Sequence, residues 1–216
     1  HDGDCIQRGF GGIPNAIGFE LMNRHDLGIH TEQIGASMAR MIQGGVVTNR
    51  YKNLDKGWSV GAFIIADNFT YEYLNNHPRV MMRRGRYTND PMIIAQQDNM
   101  VSINAALQID LTGQVAAEAI AHIQWSGTGG ATDYAYGAYH SKGGRAMLCQ
   151  ISTAKKGTVS RIAPVLDSGS IVSVSRNLTD MVVTEYGVAK LRQRTVKQRV
   201  ENLIAVAHPD FRAELR

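Results

Sequence analysis

Cysteine is scarce: Cys5 and Cys149 are the only two in 216 residues. Two cysteines so far apart exclude a disulfide framework and lack the close spacing of a zinc or iron–sulfur site. No apolar run approaches the roughly 18 residues of a membrane span, and no basic segment followed by an apolar stretch opens the chain. Internal repeats, long linkers and low-complexity segments are also missing. Charged residues make up 19% and hydrophobic residues 44%, which is ordinary globular usage and excludes a disordered chain. The chain therefore reads as one unexported cytoplasmic domain, with no membrane partner. It begins at His1, just ahead of a strand-like stretch, and is read as a fragment of a longer protein.

The net charge is +4 and the pI about 9.1, but the cations are dispersed, and only Arg83, Arg84 and Arg86 cluster. A small phosphate-bearing molecule accounts for that balance as well as nucleic acid does. The sequons at Asn68 and Asn177 are too short a pattern to carry weight.

Apolar runs alternate with amphipathic segments, with Gly or Asn between them, and this predicts an α/β fold with a mainly parallel sheet covered by helices. Strands are expected at residues 5–10, 60–65, 101–109, 146–151, 170–175 and 181–184. Helices are expected at 15–23, 33–43, 69–75 and 196–207, with Pro14 heading the first.

Two glycine clusters, Gly9-Phe10-Gly11-Gly12-Ile13-Pro14 and Ser126-Gly127-Thr128-Gly129-Gly130-Ala131-Thr132-Asp133, each fall between a strand-like run and a helix. Either can present backbone amides to an anion, and Gly11 and Gly12 are substrate-binding candidates on that ground. Tight turns explain isolated glycines equally well. Neither cluster completes a dinucleotide fingerprint, because Pro14 and Thr132 stand where a third glycine belongs, and Lys142 lacks the spacing of a P-loop. His30-Thr31-Glu32 has the His-x-Glu of nucleobase deaminases, yet no Pro-Cys-x-x-Cys follows to complete a zinc site. Read alone, Thr31 is a helix N-cap with Glu32 in the first turn.

A longer set of segments changes that reading. Gly28-Ile29-His30-Thr31-Glu32 followed by Gly44-Gly45-Val46-Val47-Thr48-Asn49 resembles 4-hydroxybutyrate CoA-transferases and the acetyl-CoA hydrolase/transferase family. The resemblance continues in the run 97–106, in Asp110-Leu111-Thr112-Gly113-Gln114-Val115, Ser126 to Asp133, Ser141-Lys142-Gly143-Gly144, and Val183-Thr184-Glu185-Tyr186-Gly187. It implies a transferase of about twice this length with an α/β fold of the CoA-transferase (NagB/RpiA-like) type. This chain, residues 1–216, corresponds to its C-terminal catalytic half; the N-terminal half and a second copy, forming a dimer, are the implied protein partners. The resemblance places the nucleophilic glutamate at Glu32 and a glycine amide of the oxyanion hole at Gly127, Gly129 or Gly130. It implies acyl-CoA and a small carboxylic acid of the 4-hydroxybutyrate or acetate type as substrates, with no metal, and a ping-pong reaction through a glutamyl-CoA thioester.

A carboxylate suits that chemistry because it is ionised near pH 7 and can attack a thioester without first losing a proton. Lys142 and Arg145, which flank the small glycines Gly143 and Gly144, are candidates for pairing with CoA phosphates, with solvated surface charge as the plain alternative, and Gly129 and Gly130 are further CoA-binding candidates. Asn99 and Asn104 are candidates for orienting groups around the nucleophile, or else strand-edge and turn groups. Acyl-CoA hydrolysis and a non-catalytic ligand-binding domain stay open as other readings. Gln33-Ile34-Gly35-Ala36-Ser37 after Glu32, and Tyr134 where phenylalanine is usual, depart from the family pattern and leave the acyl pocket open.

Overall fold

A computed structural model describes residues His1–Arg216. The chain divides into two compact units, His1–Asn104 with Tyr136–Arg145, and Ala105–Ala135 with Ala146–Arg216.

In the first unit every ladder is parallel. Strand Cys5–Arg8 pairs on one side with Gly28–Ile29 and on the other with Met100–Ala105, in the register Cys5 to Gly28 and Cys5 to Met100. Ser59–Gly61 pairs with Val80–Met82, and Gln33–Ile34 with Phe63–Ile64. Parallel strands covered on both faces need continuous burial, and Cys5–Arg8 has it at all four positions. Helices Gly12–Glu20 and Ala36–Gln43 pack on each other. Gly18 lies at that contact, since a Cβ there would sit 2.2 Å from the Ser37 hydroxyl oxygen.

The second unit pairs Arg145–Cys149 in parallel with Met181–Thr184, which turns back through Glu185 and Tyr186 into the antiparallel strand Gly187–Lys190. Helix Val196–Val206 covers that hairpin and starts with a capping box between Thr195 and Gln198. Gln108–Asp110 lies between Ile162–Ala163 and Val115–Ala116. The Asp110-to-Gln114 motif has a structural use here. One Asp110 carboxylate oxygen accepts N–H bonds from Thr112 and Gln114, closing a turn in which Gly113 takes φ 95°. Glu185 accepts both the Ser152 N–H, at 2.9 Å, and its hydroxyl, at 2.6 Å. Burial pushes the Glu185 carboxyl up, but the Ser152 bonds, its own backbone N–H and the nearby His208 together hold the group below its usual range.

The α/β class and the mainly parallel sheet stand as expected, with local corrections. Residues 33–43 are not one helix: Gln33–Ile34 is a strand and Gly35 is the N-cap of Ala36–Gln43. Thr31 is accordingly no N-cap; its hydroxyl donates to the Gln33 carbonyl at 3.1 Å. The first helix starts at Gly12, so Pro14 is its third residue, and Leu21–Asn23 closes it as a 3₁₀ turn. Residues 101–109 break into two strands at Ala106 and Leu107. Residues 170–175 form no strand, only a bridge from Val174 to Val115, because Ser170 and Ser173 hydroxyls take the N–H groups of Ala121 and Ala117 that a ladder would use. Helix Ala131–His140 follows the second glycine cluster. No helix is long and apolar enough to cross a membrane.

Candidate functional site

Three parallel strands of the first unit deliver their carboxyl ends to one edge. Cys5–Arg8 runs into Gly9, Phe10, Gly11 and Gly12; Gly28–Ile29 runs into His30, Thr31 and Glu32; Met100–Ala105 carries Asn104 near its end. The register aligns these exits. The carboxyl edge of an open α/β sheet is where ligands bind.

Glu32 is half-buried there, and its backbone is held from both sides. The Thr31 N–H donates to the Val60 carbonyl at 3.0 Å, while the Glu32 carbonyl accepts the Ala62 and Phe63 N–H groups at 2.7 and 3.1 Å. The carboxylate is therefore carried on a fixed crossing of strands rather than on a helix turn. His30 just before it is wholly buried, with Nε2 3.0 Å from the Thr88 carbonyl. Burial first, and then the nearby Lys52 charge, push its pKa down to about 4. A neutral imidazole with its Nε2–H spent on a carbonyl is a fixed donor, not a base for the chemistry.

Asn104 is buried and fully engaged. Its amide nitrogen donates to Gln7 Oε1 at 3.1 Å and to the Ser102 hydroxyl at 2.9 Å, and its Oδ1 accepts from Gln7 Nε2 at 3.0 Å. As placed, Asn104 buttresses the glycine turn: a Cβ on Gly9 would lie 2.3 Å from its Oδ1. Gly9→Ala in the full-length parent is accordingly expected to cost about 1–3 kcal/mol by overpacking. A lowered thermal midpoint checks this, and an unchanged midpoint would show that Asn104 can yield. Gly11, at φ 128°, is the N-cap of helix Gly12–Glu20, and neither it nor Gly12 has a side chain to cover the helix end.

Asn99, Lys142 and Arg145 are not brought to this edge. Asn99, at φ 53°, immediately precedes strand Met100–Ala105, and its N–H donates to the Lys142 carbonyl at 2.7 Å. Lys142 is exposed, and Arg145 is ion-paired with Asp4, the residue before strand Cys5–Arg8. All three belong to the amino end of the strands, opposite Glu32, where they close turns and pair locally.

In the second unit Gly127 and Gly129 lie in an exposed loop, Gly129 at φ 57°, and a Cβ on either would meet nothing within 4 Å. Gly130 is buried and its carbonyl accepts the Tyr134 N–H in the first turn of helix Ala131–His140. No local packing demand therefore requires glycine at 127 or 129.

A family model described as the acetyl-CoA hydrolase/transferase C-terminal domain matches residues 67–216. The chain belongs to this family. Succinyl-CoA:cyclohexane-1-carboxylate CoA transferase of Geobacter metallireducens is 47% identical over 214 residues, covering 99% of this chain and 49% of the relative. The 4-hydroxybutyrate coenzyme A transferase of Clostridium kluyveri is 46% identical over 214 residues, with 99% and 50% covered. The crystal structure of RipA from Yersinia pestis superposes with a TM-score of 0.95 at 48% identity, over 100% of this chain and 48% of that one. The chain thus spans about half the length of the curated relatives it matches. Glu32 lies ahead of the matched family segment but inside the span shared with these relatives.

Two buried cations near the family's motifs escape a reading of motifs alone. Lys52 donates to the Ile29 and Trp58 carbonyls at 2.9 and 2.6 Å, tying the strand that leads to Glu32. Arg8 ends the first strand with 4% exposure. The available signal was a charged residue at the end of a strand-like run, directly before a glycine turn.

Proposed function

We propose that this chain is the C-terminal catalytic half of a CoA-transferase that moves coenzyme A between an acyl-CoA and a small carboxylic acid of the 4-hydroxybutyrate or acetate type. The observation that carries the proposal is Glu32 itself: a carboxylate on a rigid strand crossing, at the carboxyl edge of a parallel sheet and next to a glycine turn. Family membership and the transferase names of its relatives support the same reading.

In this mechanism a Glu32 oxygen attacks the thioester carbonyl, the carbon–sulfur bond breaks, and CoA leaves as a thiolate with an acyl–glutamyl anhydride formed. The thiolate then attacks the glutamyl carbonyl and releases the first acid as its carboxylate, giving glutamyl-CoA. A second acid reverses the two steps and regenerates the Glu32 carboxylate. No proton need be removed to start, because the nucleophile is already an anion. Each tetrahedral intermediate places charge on the former carbonyl oxygen, where one glycine N–H, from Gly127, Gly129 or Gly130, contributes about 3 kcal/mol. Exclusion of water by the remaining half of the parent and by a dimer partner would separate transfer from hydrolysis. The two buried thiols fit a reducing cytoplasm as the site of action.

Incubating the full-length parent with acetyl-CoA, trapping with hydroxylamine or borohydride, and mapping peptides by mass spectrometry tests this directly. A modified peptide containing Glu32 is the expected result. Protein that binds CoA but leaves that peptide unmodified would be a ligand-binding domain instead.

A further inference from the structure

Lys52 is the one buried lysine of the chain, 4% exposed, and it forms no ion pair. A cation taken out of water without an anion is costly, so its place calls for a reason. Its Nζ donates to two backbone carbonyls, Ile29 at 2.9 Å and Trp58 at 2.6 Å. Ile29 ends the strand that leads to Glu32, and Trp58 enters the neighbouring strand Ser59–Gly61. These two strands form no ladder and meet in a single bridge from His30 to Val60. Two carbonyl oxygens that converge on one point repel each other, and the ammonium between them holds both by charge-assisted bonds.

Asn49 acts beside it. Its Oδ1 accepts the Ile29 N–H at 2.8 Å, and its Nδ2 donates to the Ser59 hydroxyl at 3.0 Å. Both main-chain groups of Ile29 are therefore held by side chains of one short segment, and each of those side chains also grips the neighbouring strand. Asparagine suits position 49 because its amide has a donor and an acceptor and because it tolerates the left-handed φ of 55° found there. The segment is anchored from behind by buried Gln97, whose Oε1 accepts the Asn53 and Leu54 N–H groups at 3.0 and 3.3 Å and whose Nε2 donates to the Leu54 carbonyl at 3.2 Å. Gly28 makes room for the lysine stem, since a Cβ there would lie 2.7 Å from Lys52 Cγ.

We propose that Asn49 and Lys52 are positioning residues for Glu32, a side-chain clamp that sets the spacing of the two strands crossing at Glu32 and so the aim of its carboxylate. The crossing follows directly on the clamp, with Thr31 bound to Val60 and the Glu32 carbonyl bound to Ala62 and Phe63. Both side chains are buried and spend these polar atoms on the strands, so they act through Glu32 rather than on substrate. This role presupposes Glu32 as the nucleophile of the proposed transfer.

Steady-state acyl exchange by the full-length parent, normalised to the folded fraction, tests the clamp. Lys52→Met keeps the stem and removes both bonds; kcat is expected to fall about 10²-fold, the scale of a misplacement on the order of 1 Å, with KM for acyl-CoA within about threefold of the parent. A lysine that only stabilised the fold would lower the thermal midpoint and leave kcat per folded protein unchanged. Ser59→Ala removes the hydroxyl that Asn49 grips, is mild enough to keep the test decisive if Lys52→Met does not fold, and is expected to lower kcat about 3- to 10-fold, the scale of one neutral hydrogen bond. Combination with Glu32→Asp separates aim from stability. An aspartate already sits out of line, so either clamp variant should cost it far less than it costs the parent, whereas independent effects multiply. Unchanged kcat in whichever variant folds, or losses that multiply with that of Glu32→Asp, would overturn the clamp while Glu32→Gln still abolishes exchange. Exchange that survives Glu32→Gln would instead remove the nucleophile, and the purpose of the clamp with it.

Discussion

Glu32→Gln in the full-length parent is expected to lower acyl exchange by about 10⁴-fold or more, the scale on which removing a covalent nucleophile acts. The change is close to isosteric, and the main-chain bonds that hold position 32, from Val60 to Phe63, do not involve the side chain. Folding should therefore survive while the anion that attacks the thioester in the proposed mechanism is gone. Glu32→Asp makes the complementary case. It keeps the charge but withdraws it by one methylene, and a misplacement on the order of 1 Å costs about 10²-fold in a positioned reaction. The series Glu, Asp, Gln should thus fall in two large steps, with hydrolysis of acyl-CoA falling alongside exchange because in the proposed mechanism both pass through the same anhydride. An exchange rate for Glu32→Gln within tenfold of the parent would remove Glu32 from the mechanism, and hydrolysis persisting without exchange would point to a water-based route.

The features that the sequence made legible are those set by local rules. Buried parallel strands read as apolar runs, so Cys5–Arg8 and Met181–Thr184 were found near their true ends. The helix over 196–206 was legible from its periodicity. What failed depends on partners distant in sequence. Gln33 and Ile34 look like a continuation of the helix that follows, but Phe63 and Ile64 recruit them into a ladder, and Gly35 then restarts the chain as a helix. At residues 170–175 the apolar Ile171 and Val172 suggest a strand, yet both remain exposed while neighbouring serines satisfy other backbone groups.

The candidate site divides in the same way. Glu32 and the Gly9–Gly12 turn meet because parallel strands share a carboxyl edge, a rule that topology supplies once strand order is known. Lys142 and Arg145, read as phosphate partners beside small glycines, lie at the amino end of the strands of the first unit, where Asp4 takes Arg145.

His30 gives the second large effect, and it concerns stability rather than turnover. Its Nε2 contact with a carbonyl fixes the neutral tautomer carrying Nε2–H, and burial, followed by Lys52, lowers its pKa to about 4, with the Thr88 carbonyl and Asp55 pulling only weakly the other way. The unfolded chain takes up this proton near the usual 6.5, so between about pH 6.5 and 4 the unfolded state binds more protons than the folded one. Stability from this residue is fully present above 6.5 and declines as pH falls through that window, by on the order of 3 kcal/mol at its end. His30→Gln places an amide nitrogen where Nε2 stood, can still donate to Thr88, and does not titrate. Thermal midpoints of the two full-length proteins are therefore expected to converge or cross below pH 6.5, the variant losing less on acidification. Parallel profiles from pH 7 to 4 would mean that His30 already carries its proton in the fold. Because the imidazole is buried and committed to Thr88, any acid limb it produces in activity should track the folded fraction and not a proton transfer to substrate.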